Sequence, residues 1–180
     1  MASRDVWSHG SGSALRDLLS SALASLLMAP AGPEPAYFSS PWMSDFPLFE
    51  NYDGDFVALF PELADERRIR FSDYLHLLSR RRPVRIIAVR HPISETFARI
   101  PALQESDGVQ FRYAPEIYHE KGVLTPGFYI EGSMNITYNG VHVRGEKITF
   151  HSGVDGEQRA KIASAYLEFN RRWQLLAVTH

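Results

Sequence analysis

The segment Val84-Arg85-Ile86-Ile87-Ala88-Val89 most narrows what this chain can fold into. A nearly unbroken apolar run of that length is the pattern of a strand buried on both faces, which needs layers of structure above and below it. Leu15, Leu18, Leu19, Ala22, Leu23, Leu26 and Leu27 recur at spacings of three and four, so they supply one such layer as an amphipathic helix. A second helix is expected through Arg80, with Ser72 as N-cap, Asp73 in its first turn and arginines at its end. A third over Ser94 to Leu103 is limited by Pro101, and a long last helix over Asp155 to Gln174 carries a stripe of Ile162, Ala165, Tyr166, Phe169 and Trp173. Further strands are expected at Ala36–Ser40, which Pro41 ends, and at Val109–Tyr113, Tyr118–Leu124, Phe128–Glu131 and Lys147–His151. Thr125-Pro126-Gly127 reads as the turn between two of them. Residues 43–70 have poor periodicity and read as an irregular packed excursion with one short helix. Helices and strands alternate early and strands cluster late. The expected class is therefore α/β, a mixed and mostly parallel sheet with helices on both faces. A length of 180 residues fits a single domain over 1–180.

The sequence has no cysteine. That excludes a disulfide framework, a thiolate zinc site, an Fe–S cluster and a cysteine nucleophile. Leu18 to Met28 is apolar and precedes Ala29-Pro30-Ala31, which looks like a cleavage site. Arg16-Asp17 at its edge and the lack of a distinctly positive flank favour a soluble helix instead, and the run is short for a membrane span. A cytoplasmic protein without stable membrane insertion is expected.

The formal charge of −2 excludes a uniformly basic coat, but the charge is unevenly placed. Asp45 to Glu66 holds Asp45, Glu50, Asp53, Asp55, Glu62, Asp65 and Glu66 and no base; Arg67 to Arg90 holds eight arginines and one acid, Asp73. Two readings compete. The blocks pair with one another on a solvated surface, or Arg80, Arg81, Arg82 and Arg85 border a groove for a polyanion, which arginine's planar fork suits.

The chemistry concentrates in His119-Glu120-Lys121, Gly132-Ser133-Met134-Asn135 and Glu146. On an extended segment His119 and Lys121 point the same way. An imidazole and an ammonium on one face suit a phosphate, as nucleophile or proton donor and as clamp for its oxygens. Ser133 and Asn135, where the next strand ends, can aim a hydroxyl and an amide at the same point. Glu146 can hold a histidine N–H and fix its tautomer. Singly, each piece reads as surface decoration, an ordinary turn or a solvated strand-edge acid.

Together, in this order and spacing, they resemble the phospholipase D superfamily, whose signature is His-x-Lys, four residues, Asp, then Gly-Ser-x-Asn and a later Glu. His119, Lys121, Ser133, Asn135 and Glu146 fall on matching positions; Pro126 stands where the Asp would be. The segment Tyr37-Phe38-Ser39-Ser40-Pro41-Trp42-Met43-Ser44-Asp45 is similar to the opening strand and loop of bacterial phospholipase D-like proteins of DNA-modification and phage-defence clusters, the DpdK type among them. The resemblance implies a metal-independent, cofactor-free phosphodiesterase acting through a phosphohistidine. Because this chain carries one His-Lys-Asn set, it also implies a homodimer that brings two copies of His119 to one phosphorus. Nucleic acid, DNA foremost, is the implied substrate, with other proteins of such a cluster as further partners. The alternatives are a weak or inactive binding or assembly subunit, which Pro126 and the acidic stretch favour, and a lipid phosphodiesterase, to which only the Leu15–Leu27 helix points.

The remaining candidates read as structural. His142 and His151 lack carboxylate partners at metal-ligand spacing and are expected in core or surface roles. His76 is expected exposed and His91 in a loop. Asn135-Ile136-Thr137 fits a glycosylation sequon but lacks an export context. Trp42, Phe46 and Phe49 read as core rather than as a base-stacking platform.

Overall fold

The computed structural model describes residues 3–7 and 13–178. In chain order the elements are β1 (Arg4–Trp7), α1 (Ala14–Met28), β2 (Ala36–Ser39), β3 (Pro47–Glu50), β4 (Arg68–Arg70), α2 (Phe71–Ser79), β5 (Val84–Val89), α3 (Pro92–Ala98) and α4 (Pro101–Gln104). Then follow β6 (Val109–Ala114), β7 (Gly122–Leu124), β8 (Phe128–Gly132), α5 (Tyr138–His142), β9 (Lys147–Ser152), α6 (Gly156–Leu175) and β10 (Ala177–Val178). Eight strands form one sheet in the order β1-β9-β8-β7-β2-β5-β6-β10, and β3 and β4 form a separate ribbon.

The apolar run Val84–Val89 is β5, in the interior of the sheet, and its side chains feed two cores. Ile86 and Ala88 join Phe38, Val123, Ile130 and Ile148 beneath α1 and α2, whereas Ile87 joins Tyr37, Leu124 and Tyr129 beneath α6. Helices on both faces of a mixed α/β sheet agree with expectation. The mostly parallel proportion is corrected. Among the described residues, only the sheet pairs β2–β5 and β5–β6 are parallel, whereas β1–β9, β8–β9, β7–β8, β2–β7 and β6–β10 are antiparallel. The reason is chain length between strands. Helical crossovers join β2 to β5 and β5 to β6, but a tight turn joins β7 to β8, and only antiparallel neighbours can be linked that way.

Other expectations shift in detail. The excursion over 43–70 contains the β3–β4 ribbon, hidden in the sequence because its strands are short and its register breaks between Pro47 and Phe49. Its aromatics Phe46, Phe49 and Phe60 are buried, but Trp42 is 43% exposed. Ser72 is not the N-cap of α2. Arg70 holds that position, its N–H donating to Asp73 Oδ2 at 3.0 Å, and Ser72 donates its own N–H to Asp45 Oδ1 at 3.0 Å. The predicted helix over 94–103 is split into α3 and α4, each opened by a proline. The α1 stripe is as expected, with Leu15, Leu19, Ala22, Leu23, Leu26 and Leu27 buried against the sheet. Among the described residues no helix is long and apolar enough to cross a membrane.

Candidate active site

The parallel strands β2 and β5 end at Ser39 and Val89, and the antiparallel register brings the start of β7, the end of β8 and the start of β9 to the same end of the sheet. Ser39 lies opposite Gly122, Gly122 opposite Glu131, and Gly132 opposite Ile148. In open α/β sheets the crevice at the carboxyl ends of the strands is where ligands bind.

His119 and Lys121 precede β7 rather than lying on it, since that strand starts only at Gly122. The Tyr118 hydroxyl hydrogen-bonds Ser39 Oγ, and Glu120 pairs with Arg172 of α6, which anchors this segment beside the carboxyl end of β2. His119 is exposed. Lys121 folds its ammonium back to donate to the His119 carbonyl oxygen at 2.8 Å, which keeps the cation beside the imidazole-bearing residue. Burial holds the Lys121 ammonium below the ordinary lysine pKa, and the nearby Glu146 carboxylate opposes that shift.

Ser133 follows Gly132 at the end of β8, and its N–H still donates to Lys147 O of β9 at 2.9 Å. Its hydroxyl donates to Glu146 Oε2 at 2.5 Å and accepts the Lys147 N–H at 3.1 Å. Glu146 therefore holds Ser133 and lies within electrostatic reach of Lys121. Asn135 is 9% exposed. Its Oδ1 accepts from Ser40 Oγ at 3.3 Å, just beyond β2, which leaves the amide NH2 to donate. An isolated parallel bridge between Met43 and Ile136 ties the two loops together.

The structure thus gathers His119, Lys121, Ser133, Asn135 and Glu146 at one end of the sheet. Pro126 is elsewhere, in the β7–β8 turn that Thr125 closes by accepting the Phe128 N–H at 3.0 Å. The length of β7 separates it from Lys121.

The arginine block is not at this end. Arg80, Arg81 and Arg82 follow α2 and precede β5, and Arg85 is near the start of β5. Arg80 pairs with Glu62, Arg81 donates to Ala29 O, and Arg82, only 6% exposed, donates to Pro30 O. Arg85 donates to the Tyr37 hydroxyl beneath α6. The block therefore lies at the far end of the strands from these five residues, where Arg80 and Arg81 line a cleft of about 510 Å³ and the guanidiniums of Arg82 and Arg85 are engaged by protein oxygens. The charge blocks pair, Arg68 with Glu50 and Arg70 with Asp45.

Several histidines serve structure. His76 sets Nδ1 2.6 Å from Ser106 Oγ rather than facing solvent, and His91 accepts the Ile93 N–H to cap α3. His151 is buried between Glu131 and Gln158. Trp42, expected in the core, instead borders a cleft of about 430 Å³ beside Asn135, whose other walls include His91, Tyr138 and Arg144.

No family model and no curated protein sequence matches the chain. Among solved structures, the phospholipase D family member Nuc from Salmonella typhimurium superposes with a TM-score of 0.63 at 13% identity, covering 99% of this chain and 98% of that one. NucT from Helicobacter pylori gives 0.60 at 12% identity, covering 99% and 100%. Phosphatidylserine synthase from Haemophilus influenzae gives 0.54 at 14% identity, with 98% of this chain matching 40% of that one. The fold is therefore that of phospholipase D-like proteins.

Proposed function

We propose that this chain is a phosphodiester hydrolase acting on nucleic acid, DNA foremost, as a homodimer. The observation that carries the reading is the gathering of His119, Lys121, Ser133, Asn135 and Glu146 at one sheet end, in a fold shared with Nuc and NucT. The likeness of Tyr37–Asp45 to the opening strand and loop of bacterial proteins of DNA-modification and phage-defence clusters supports a role in such a system.

One chain offers one imidazole, and displacement at phosphorus needs an attacking group and a proton donor on opposite sides. A two-fold axis supplies both from a single sequence position. Neutral His119 attacks phosphorus, forming a P–N bond as the P–O bond to the leaving group breaks. The departing oxygen takes a proton from the imidazolium of the partner's His119. Water then attacks the phosphohistidine; its proton passes to the imidazole of the partner's His119, and the P–N bond breaks. Imidazole is the side chain whose ordinary pKa lets both protonation states exist near neutrality. The two rings titrate as a coupled pair. Lys121 and the Asn135 NH2 bind non-bridging oxygens, where charge builds in the transition state. Ser133, fixed by Glu146, assists. Lysine and imidazolium supply the positive charge, so the scheme needs no metal.

The test is hydrolysis of plasmid, single-stranded DNA and a chromogenic phosphodiester in excess EDTA. The wild type cleaves; His119→Ala loses activity by at least about a thousandfold, as removal of a nucleophile does. Loss on chelation, restored by one divalent ion, overturns the mechanism. Equal signals from wild type and His119→Ala overturn the assignment of His119 and expose a contaminant.

A further inference from the structure

The cleft beside Asn135 has walls that a bare phosphate site does not need. Trp42 is 43% exposed and leans over His91 with ring centroids 6.0 Å apart. Tyr138 is 49% exposed and stacks on His142 at 4.9 Å, so one ring face is backed by protein. Between them about 430 Å³ of space opens, with Asn135 among its walls. Large aromatic rings left uncovered beside a polar site are unfavourable in water without a ligand to cover them.

A second cleft, of about 570 Å³, has Arg90 among its walls, next in the chain to His91 of the first. It is cationic. Arg90, Arg99 and Arg112 line it against the single carboxylate of Glu95. Arg99 is exposed, and among the described residues its guanidinium makes no hydrogen bond or ion pair. Arg90 lies over the Tyr113 ring at 4.6 Å and pairs with Glu95 at 3.2 Å, its side chain still 66% exposed.

From these two clefts we infer that the substrate is engaged as a single strand. A base next to the scissile phosphate unstacks into the cleft between Trp42 and Tyr138, and the sugar-phosphate backbone continues past His91 onto Arg90 and Arg99. The choice of nucleic acid rests on the function proposed above; the strandedness and the path come from the rings and the arginines. Bases in a duplex stack on one another and present no free face, whereas an unpaired base has one. Stacking on protein rings tolerates any base, and arginine answers the phosphates.

The experiment measures binding by fluorescence anisotropy in a His119→Ala background, so that nothing is cleaved. The probes are a labelled single strand of about 12 nucleotides, its duplex, and an abasic strand of equal length. The single strand binds more tightly than the duplex. Trp42→Ala and Tyr138→Ala each weaken the single strand about tenfold and leave the abasic strand unchanged, and Tyr138→Phe retains the wild-type affinity. Arg99→Ala weakens single and abasic strands alike and lowers the salt slope by about one. The inference is overturned if the ring substitutions leave single-strand affinity unchanged, or weaken the abasic strand as much. It is also overturned if they alter only the sedimentation of the dimer, which would make the rings an interface between copies. Cleavage of a chromogenic phosphodiester, with binding indifferent to the rings, sinks this inference and spares the proposed function. Ring-dependent binding without any hydrolysis does the reverse.

Discussion

Burial and charge pull Lys121 in opposite directions. Partial burial disfavours its ammonium, and the Glu146 carboxylate favours it. Glu146→Gln removes the favourable partner and leaves burial unopposed, so the Lys121 pKa, already below the ordinary value of about 10.4, falls further. Lys121, Lys147 and Lys161 are the only lysines of the sequence. After reductive 13C-methylation each resonance can be assigned by single substitution, and the Lys121 titration midpoint is expected to move to lower pH in Glu146→Gln. An unchanged midpoint would mean that Glu146 acts on Ser133 alone. The same substitution loosens Ser133, whose hydroxyl donates to Glu146 at 2.5 Å. These five residue positions were legible in the sequence because motif spacing encodes them. What Glu146 holds was not legible, because the β8–β9 register decides which side chain it meets.

That register depends on Gly132, where β8 delivers Ser133 to the site. Its φ of +156° lies in the region that L side chains rarely adopt, and an added Cβ would come within 2.2 Å of Lys147 O. Gly132→Ala is expected to cost about 1–3 kcal/mol of stability, read as a lowered midpoint in urea unfolding, and to separate Ser133 from Glu146. His142 makes a different demand on the β3–α5 contact. Its Nε2–H donates to Pro47 O at 3.1 Å, and burial lowers its pKa; Arg16 lowers it too, while the Pro47 bond and Glu50 act against the shift. The unfolded chain binds the His142 proton near pH 6.5 and the folded chain only at lower pH. This residue's contribution to stability is therefore full above about pH 6.5 and is lost as pH falls through the folded value. His142→Gln keeps a donor for Pro47 without a titrating ring, so its melting temperature should fall less than that of the wild type between pH 7 and 5. At this scale, legibility followed length and period. The β5 run and the α1 stripe were plain because each repeats one pattern over enough residues. The β3–β4 ribbon was not, because two short strands with a register break leave no period to detect. Parallel and antiparallel pairing was likewise misjudged, since the hydrophobic pattern of a strand buried on both faces does not record the direction of its neighbours.

Across the whole molecule, the uneven charge of the sequence becomes local pairing. The acidic stretch folds as the ribbon beside α2, so Glu50, Asp45 and Glu62 meet Arg68, Arg70 and Arg80. Exposed pairs of this kind contribute at most about 1 kcal/mol each, but they occupy the arginines that looked free in one dimension. Arg90, just after β5, and Arg99 add cationic surface in a second cleft, so residues distant from the conspicuous run also contribute positive charge. The proposed homodimer can be tested at this scale. If a reaction centre needs His119 from two copies, activity per chain depends on the dimer fraction. Diluting the enzyme below its dimer dissociation constant makes the rate fall with the square of concentration, and sedimentation velocity over the same range shows the monomer. Mixing gives a sharper readout. When wild type is re-equilibrated with an equal amount of inactive His119→Ala, random pairing leaves about one quarter of the dimers with two intact rings. Activity per wild-type chain then drops to about half. Independent monomers would keep it unchanged. That outcome would remove the partner's His119 from the mechanism and require the proton donor to come from within one chain.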